Sequence, residues 1–239
     1  MEKKKILIFT GAGVSAESGV ATFRTGDDGL WYNHKVEDVA TPDGWRRDKE
    51  KVLNFYNMRR AQLKEVEPNL AHQIISDLEK DFDVTVVTQN VDNLHERAGS
   101  TKIIHLHGEL TKVRSTLNPT LIYDWKYKQL NLGDKCAKGS QLRPHVVWFN
   151  EQLNDEDVNR AINKIKEADY IIIIGTSLSV YPANEFPFYN SEFSTKYYLV
   201  DPSDFDLSMI PRRIKNFKHI KENSSTGTAK VVDEILSEN

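Results

Sequence analysis

The chain has 239 residues, of which 39% are hydrophobic and 28% are charged, a balance typical of a globular protein with one sizeable core. Its formal net charge is -3, so it carries no general positive field for nucleic acid or an anionic membrane. The single cysteine, Cys136, excludes an intrachain disulfide and fits a reducing compartment, and the apolar run at residues 6–9 is too short for a signal peptide or a membrane span. We therefore expect a cytoplasmic protein that acts on neither nucleic acid nor membranes.

Apolar runs rich in β-branched residues recur along the chain, and such runs are typical of strands buried on both faces. They lie at residues 6–9, 84–87, 103–106, 146–149, 170–174 and 197–200. Helix-length segments are predicted at about 52–65, 70–78, 155–168 and 229–236. Strands alternating with helices predict an α/β fold with a parallel sheet.

The stretch at about 111–142 interrupts this alternation with turn signals such as Asn118-Pro119 and Gly139-Ser140. We interpret it as a small inserted subdomain within one domain that spans residues 1–239. Residues at about 32–68 are predicted to form a helical insertion.

A glycine-rich segment, residues 10–19, follows the first predicted strand. Gly11, Gly13 and Gly19 allow a tight turn and a close approach of backbone N–H groups to a phosphate. The third glycine comes six residues after the second, which differs from the standard dinucleotide fingerprint. Glycine spacing alone therefore supports a structural strand-to-helix turn as well as a phosphate loop.

Polar residues follow two further strands. Gln89, Asn90 and Asp92 come after the strand at 84–87, at the edge where open α/β sheets bind ligands, and could bind a ribose and a carboxamide or simply cap a turn. His107 follows the strand at 103–106, and its imidazole titrates near neutral pH, so it can accept a proton from a hydroxyl.

Five blocks of sequence together resemble the sirtuin family of NAD-dependent protein deacylases. They are Gly11-Ala-Gly-Val-Ser-Ala-Glu-Ser-Gly19, Thr22-Phe-Arg24 with Gly29-Leu-Trp31, Thr88-Gln-Asn-Val-Asp-Asn-Leu-His95, His105-Leu-His-Gly-Glu-Leu110 and Gly175-Thr-Ser177. Their order along the chain is also that of the family. The resemblance covers nearly the whole chain and is weakest at residues 115–140 and after Asp201. It implies a Rossmann-like parallel sheet with helices on both faces plus a small inserted subdomain.

The resemblance implies that NAD is the cofactor. The residues expected to bind it are Gly11, Ala12, Gly13, Ser15, Glu17, Phe23, Arg24, Trp31, Gln89, Asn90, Asp92, Gly175, Thr176 and Ser177. Phe23 is expected to shield the reacting ribose from water. Leu199 stands where family members usually offer an Asn to the adenosine ribose, so we expect Asp201 to bind that ribose and Thr228 to line the adenine end.

The mechanism that the resemblance implies begins with attack of the acyl-lysine carbonyl oxygen on C1′ of the nicotinamide ribose, with release of nicotinamide. His107 and Asn90 are the expected catalytic residues, with His107 as general base. The products would be free lysine, nicotinamide and O-acyl-ADP-ribose. His105 is expected to be packed or hydrogen-bonded instead.

The acyl group is expected to meet Tyr56 and Arg59, which share one face of a predicted helix. A phenol and a guanidinium suit a carboxylate, and this pattern resembles the sirtuins that remove succinyl and malonyl groups as well as acetyl. Acylated protein lysines are the expected partners. The segment 143–151 also resembles the family, which implies that the substrate peptide lies against a strand formed by Val146, Val147, Trp148 and Phe149.

The resemblance fails at the zinc site that most sirtuins hold through two cysteine pairs, because only Cys136 is present. We expect no bound metal, with the subdomain held by apolar packing of Leu121, Ile122, Tyr123, Trp125 and Tyr127. Two alternatives stay open from the sequence. One is an NAD glycohydrolase or ADP-ribosyltransferase on the same fold, and the other is a non-catalytic NAD or ADP-ribose sensor.

Overall fold

A computed structural model describes residues 2–20 and 34–238. The strands are β1 (Lys5–Thr10), β2 (Asp83–Thr88), β3 (Ile103–His105), β4 (Gly108–Ser115), β5 (Ile122–Asp124), β6 (Leu142–Val146), β7 (Tyr170–Ile174), β8 (Lys196–Val200) and β9 (Phe217–Ile220). The α-helices are α1 (Gly13–Ala16), α2 (Val36–Val39), α3 (Pro42–Arg47), α4 (Lys49–Glu65), α5 (Leu70–Asp77), α6 (Leu94–Ala98), α7 (Asp155–Lys166) and α8 (Ser224–Ser237). Among the described residues, none of these helices combines the length and the apolar character needed to cross a bilayer.

Six strands form a parallel sheet in the order β3-β2-β1-β7-β8-β9. β1 is central, because Ile6 pairs with Val84 of β2 on one side and with Tyr170 of β7 on the other. The strand order reverses between β1 and β7. Open α/β sheets bind ligands at the carboxyl edge beside such a reversal.

Helices cover both faces of this sheet, which confirms the predicted fold class. On one face, Ile75 of α5 and Val231 and Ile235 of α8 pack against the strands. On the other face, Ala161 and Ile165 of α7 do the same. Both layers bury the apolar side chains that gave each strand its continuous hydrophobic run.

A second, antiparallel sheet has the order β5-β4-β6 and packs on α4. It occupies the stretch where a small inserted subdomain is expected, and that division of the chain stays a prediction. Leu121, Tyr123, Trp125 and Tyr127 pack against this core as expected. Ile122 does not, since its side chain is 44% exposed.

The predicted strand at residues 146–149 is wrong beyond its first residue, because β6 ends at Val146. The backbone N–H groups of Trp148 and Phe149 leave the ladder, bonding to the Glu151 carboxylate and to the Ala40 carbonyl. The segment therefore lines the cleft beyond the end of β6.

Candidate active site

The described residues enclose a cleft of about 520 Å³ at the carboxyl edge of the large sheet, where β1, β2, β7 and β8 end. This volume lies within the range of small-molecule sites. Residues that follow the large-sheet strands line one end, and α4 together with the segment after β6 lines the other. We call these the nucleotide end and the acyl end, respectively.

Two glycines bring the loops of the nucleotide end together. The backbone N–H of Gly13 donates to the carbonyl of Gly175 over 2.8 Å. A Cβ on Gly13 would lie 2.6 Å from the Gly175 Cα, and Gly175 itself has a positive φ of 61°. Any larger residue would push the two loops apart. The glycine-rich segment is therefore both a tight strand-to-helix turn and part of the cleft wall.

A buried polar cluster forms the middle of the cleft. The Asn90 side-chain amide donates to the Ser15 hydroxyl over 3.1 Å, and this hydroxyl donates to the Asp92 carboxylate over 3.0 Å. Asp92 also accepts from the Leu94 backbone N–H. Burial raises the pKa of Asp92, and the hydrogen bonds oppose that shift. The cluster fixes the direction in which Asn90 points, as an orienting group for a ligand requires.

His107 is oriented by the backbone. Its Nδ1 lies 2.9 Å from the Gln89 carbonyl oxygen. Since a carbonyl only accepts, Nδ1 carries the proton and Nε2 keeps its lone pair. Burial lowers the pKa of His107, so the neutral imidazole prevails at neutral pH. The ring lines the cleft and can accept a proton there.

His105, two residues earlier, has the opposite character. Its Nδ1 lies 2.9 Å from the Asn90 carbonyl, and its Nε2 lies 2.7 Å from the Glu96 carboxylate. Both nitrogens face acceptors, which favours the doubly protonated ring. Burial alone would lower the pKa of His105, but the hydrogen bond and charge of Glu96 raise it. His105 is therefore hydrogen-bonded, as predicted, and has no free lone pair.

At the acyl end, Tyr56 and Arg59 of α4 both line the cleft. The Tyr56 hydroxyl accepts a hydrogen bond from the Trp148 indole N–H over 2.9 Å. Burial raises the pKa of Tyr56 to about 12, so the phenol keeps its proton. Arg60, the next residue, is fully buried away from the cleft, where its Nε donates to the Leu110 carbonyl.

An ion-pair network centred on Glu151 lies beside this end of the cleft. Glu151 accepts from Arg143 at 2.6 Å and from Arg114 at 3.0 Å, and it also accepts from the Trp148 backbone N–H at 2.9 Å. The Arg143 guanidinium carbon lies 3.3 Å from the centre of the Trp148 ring. Such stacking of a planar cation covers one face of the indole and holds the ring in place from that side.

Comparison with known proteins identifies the family. The model of the Sir2 family matches residues 11–182. A Bacteroides thetaiotaomicron protein named NAD-dependent protein deacylase is 50% identical over 208 residues, which cover 85% of this chain and 87% of that protein. The chain is a member of the Sir2 family. An Aquifex aeolicus protein of the same name is 41% identical over 235 residues, covering 98% of this chain and 96% of its own.

Solved structures agree over almost the full length of this sirtuin. A Sir2 homologue in complex with ADP-ribose has a TM-score of 0.87 at 36% identity, covering 99% of this chain and 94% of that one. A Sir2 homologue bound to NAD has a TM-score of 0.85 at the same identity, covering 99% and 91%. A Sir2 variant with a deacetylated p53 peptide and 3′-O-acetyl ADP-ribose has a TM-score of 0.79 at 27% identity, covering 98% and 94%.

This sirtuin is therefore an NAD-dependent protein lysine deacylase, and NAD is its cofactor, as the sequence predicted. Most of the residues predicted to bind NAD or substrate line this cleft together. These are Gly11, Ala12, Gly13, Ser15, Glu17, Tyr56, Arg59, Gln89, Asn90, Asp92, His107, Val146, Val147, Trp148, Phe149, Gly175, Thr176, Ser177 and Asp201. Phe23, Arg24 and Trp31 lie outside the described residues.

Thr228 was predicted to line the adenine end, and this is wrong. It is fully buried in α8 and does not reach the cleft. Asn223 and Ser224, at the start of α8, line the cleft instead. Sequence reasoning missed both because it began the last helix at residue 229, whereas α8 begins five residues earlier, at Ser224.

The donor set at the usual zinc position does not fit a structural zinc. The Ser115 hydroxyl lies 2.7 Å from that of Ser140, which lies 3.0 Å from the Cys136 sulfur. Side-chain hydrogen bonds from Ser115 and Ser140 lower the pKa of Cys136 to about 6, but one thiolate and two hydroxyls do not make a tetrahedral thiolate site. That the folded protein holds no zinc stays a prediction.

One other group of donors in the described ranges brings Glu96, His105 and Glu109 within 4.8 Å of one another. His105 already pairs with Glu96, and Glu109 pairs with Lys112 at 2.7 Å. The group is compensated by its own charges, so we assign no metal to it.

Proposed function

We propose that this sirtuin removes succinyl and malonyl groups as well as acetyl groups from protein lysines, and prefers the acidic ones. The observation that carries the proposal is that a phenol and a guanidinium, Tyr56 and Arg59, line the same cleft as His107. A guanidinium binds a carboxylate through two parallel N–H donors, whereas acetyl-lysine offers it no acceptor. Burial lowers the pKa of Arg59, because removal from water disfavours its positive charge. A carboxylate bound beside it would stabilise that charge.

The nucleotide end fits NAD by the chemistry of its lining. Close backbone approach at Gly11 and Gly13 suits the phosphates. The hydrogen-bonded cluster of Ser15, Asn90 and Asp92 suits the nicotinamide ribose and its carboxamide. The remaining contacts are assigned to Ala12, Glu17, Gln89, Gly175, Thr176 and Ser177, with Asp201 on the adenosine ribose. Bound NAD supplies the ribose carbon that receives the acyl oxygen.

His107 acts as the general base in this proposal. Its Nε2 lone pair takes a proton from a ribose hydroxyl, while its Nδ1 keeps its own proton and donates it in a hydrogen bond to the Gln89 carbonyl. Asn90 holds the reacting ribose in line from the polar cluster. Val147 and Phe149 offer the peptide a surface at the cleft mouth, where Phe149 is 42% exposed. Recognition through an extended backbone tolerates many sequences, so we expect loose sequence preference.

We assign the activity to the cytoplasm, with acylated proteins rather than nucleic acid as partners. The support is the net charge of -3 and a single cysteine, which fit a reducing compartment and no nucleic-acid surface.

The test incubates the protein with NAD and peptides that carry succinyl-, malonyl- or acetyl-lysine, and identifies the products by mass spectrometry. We expect O-acyl-ADP-ribose from all three, with a higher kcat/KM for the two acidic groups. ADP-ribose without acyl transfer would contradict deacylation, and equal or better turnover of acetyl-lysine would contradict the acyl preference.

A further inference from the structure

The hydrogen bond between Trp148 and Tyr56 decides which way the phenol can act. The indole N–H is a donor only, so the Tyr56 oxygen accepts across the 2.9 Å contact. The phenolic proton is then left for another acceptor. Among residues 2–20 and 34–238, none accepts the Tyr56 phenolic proton. Tyr56 lines the cleft and is only 2% exposed, so an acceptor for this proton must come from within the cleft.

Trp148 is held so that its N–H direction is fixed. The Arg143 guanidinium stacks on one face of the indole at 3.3 Å, and the Trp45 ring lies 5.7 Å away at a tilt of 42°. The Trp148 backbone N–H is bound to Glu151, which also holds Arg143 by two hydrogen bonds. At 2% exposure, the indole has no room to turn away.

We infer that Trp148 is a positioning residue that sets acyl specificity by making Tyr56 a hydrogen-bond donor toward the cleft. This inference rests on the proposed function. With the lone pair on the indole side occupied, the acyl end presents the phenol O–H beside Arg59, and both groups complement a carboxylate. Without the indole N–H, the phenol can rotate its proton away and turn a lone pair toward the acyl group, which a carboxylate would avoid.

The test is Trp148→Phe, which keeps an aromatic ring and removes the N–H. We expect the ratio of succinyl to acetyl kcat/KM to fall about two- to tenfold, mostly through a higher KM for the succinyl peptide, because one neutral hydrogen bond is lost. The matched control is Trp125→Phe, which removes an indole N–H that donates to the Gln129 carbonyl. Trp125 lines no part of the cleft, so the ratio should not change in this variant.

A double-mutant cycle shows whether Trp148 acts through Tyr56. In a Tyr56→Phe background, Trp148→Phe should not change the ratio further, since there is no phenol left to orient. An equal loss on both substrates, or the same change of ratio in that background, would overturn the inference. If the wild-type enzyme does not turn over succinyl-lysine, the proposed function is contradicted instead. Normal wild-type preference with an unchanged ratio in Trp148→Phe overturns this inference alone.

The wild-type protein provides a second measurement should Trp148→Phe fold poorly. The indole N–H resonance of Trp148 is expected to shift when a succinyl-lysine peptide binds and to shift less with an acetyl-lysine peptide. Equal shifts with both peptides would contradict the inference.

Discussion

The two ends of the cleft are built from different parts of the chain. The nucleotide end consists largely of backbone and short polar side chains at the sheet edge, as in the contact between Gly13 and Gly175. The acyl end consists of long side chains, and its defining bond joins Tyr56 and Trp148, which are 92 residues apart. The nucleotide end therefore depends on close backbone packing that tolerates little change. The acyl end can change its selectivity through single side chains.

The largest effect expected is on the shared chemistry of the nucleotide end. His107→Ala removes the group with the free lone pair, and a positioned base is worth roughly a hundredfold to ten-thousandfold in rate. The loss should be the same for succinyl- and acetyl-lysine peptides, measured as kcat by product formation. His105→Gln is the control, with a loss of about tenfold at most, because His105 has no lone pair to offer. Near wild-type activity in folded His107→Ala would show that another residue is the base.

The pH profile distinguishes the same two histidines. Burial lowers the pKa of His107, and a general base acts in its neutral form. We therefore expect kcat/KM to stay constant from neutral pH down to about 6.5 and to decrease only below that value. An acid limb with its midpoint above 6.5 would contradict a neutral His107 and favour control by His105, whose pKa is raised.

The second effect belongs to the acyl end alone. Arg59→Met keeps bulk and removes charge, so kcat/KM for succinyl-lysine should fall about tenfold to a hundred-and-fiftyfold, the value of a charge-assisted hydrogen bond of about 1.5 to 3 kcal/mol. Acetyl-lysine turnover should change little or rise. Arg60 is unsuitable as a control because it is part of the core. Lys64→Met is preferred, because Lys64 is an exposed cation on the same helix. Equal losses on both substrates would show that Arg59 does not contact the acyl group.

Acid should lower the free energy of unfolding through two buried histidines, His72 and His95. His72 is fully buried, and burial lowers its pKa to about 4. Burial also lowers the pKa of His95, which lies beside His72 and bonds to Thr10. The stability contributed by a histidine whose pKa is lower in the folded than in the unfolded state is fully present above the unfolded pKa of about 6.5. It is lost as the pH falls toward the folded pKa, because the unfolded state gains a proton first. His72 alone should remove about 2 kcal/mol between pH 7 and pH 5. Denaturant unfolding at several pH values measures this.

The acid effect should become smaller in His72→Gln, which cannot gain a proton. The same pH dependence in that variant would place the sensitivity elsewhere.

The smallest effect tests the corrected position of Thr228. Its hydroxyl is buried and has no hydrogen-bond partner among the described residues. Thr228→Val should leave the KM for NAD within about twofold and stabilise the fold by up to about 1 kcal/mol, because it removes an unsatisfied polar group. Asp201→Ala is the comparison, with a KM for NAD raised about fivefold by the loss of one hydrogen bond. A larger change in Thr228→Val than in Asp201→Ala would contradict the structure.

The parallel sheet could be predicted from sequence because its strands are short, apolar and buried on both faces. The start of α8 could not, since Gly227 weakens any helical pattern in that segment. Its lack of a side chain is needed, because a Cβ there would lie 2.3 Å from a methyl carbon of Val200. α4 likewise begins at Lys49, before the predicted residue 52, because Asp48 caps it by accepting from the Lys51 N–H.

The residues of the site were found mainly as short motifs, and the bonds between them were not. Ser15, Asn90 and Asp92 stand in recognisable blocks, but their mutual hydrogen bonds depend on where two loops meet. Trp148 was assigned to a peptide-binding strand because the segment 143–151 resembles the family there. Its bond to Tyr56 involves a partner far away in sequence, which periodicity does not reveal.

The glycine-rich loop near the start of the chain is anchored by residues near its end. The Ser225 N–H donates to the Glu17 carboxylate over 2.9 Å, and the Ser224 hydroxyl donates to the Gly13 carbonyl over 3.1 Å. The central strand β1 also pairs along its second edge with β7, which lies about 160 residues later in the chain. During synthesis, a ribosome must therefore release the chain through Ser225 before this loop acquires its final support. Nascent chains that stop short of α8 leave the nucleotide end incomplete, so cofactor cannot assist their folding until α8 has emerged.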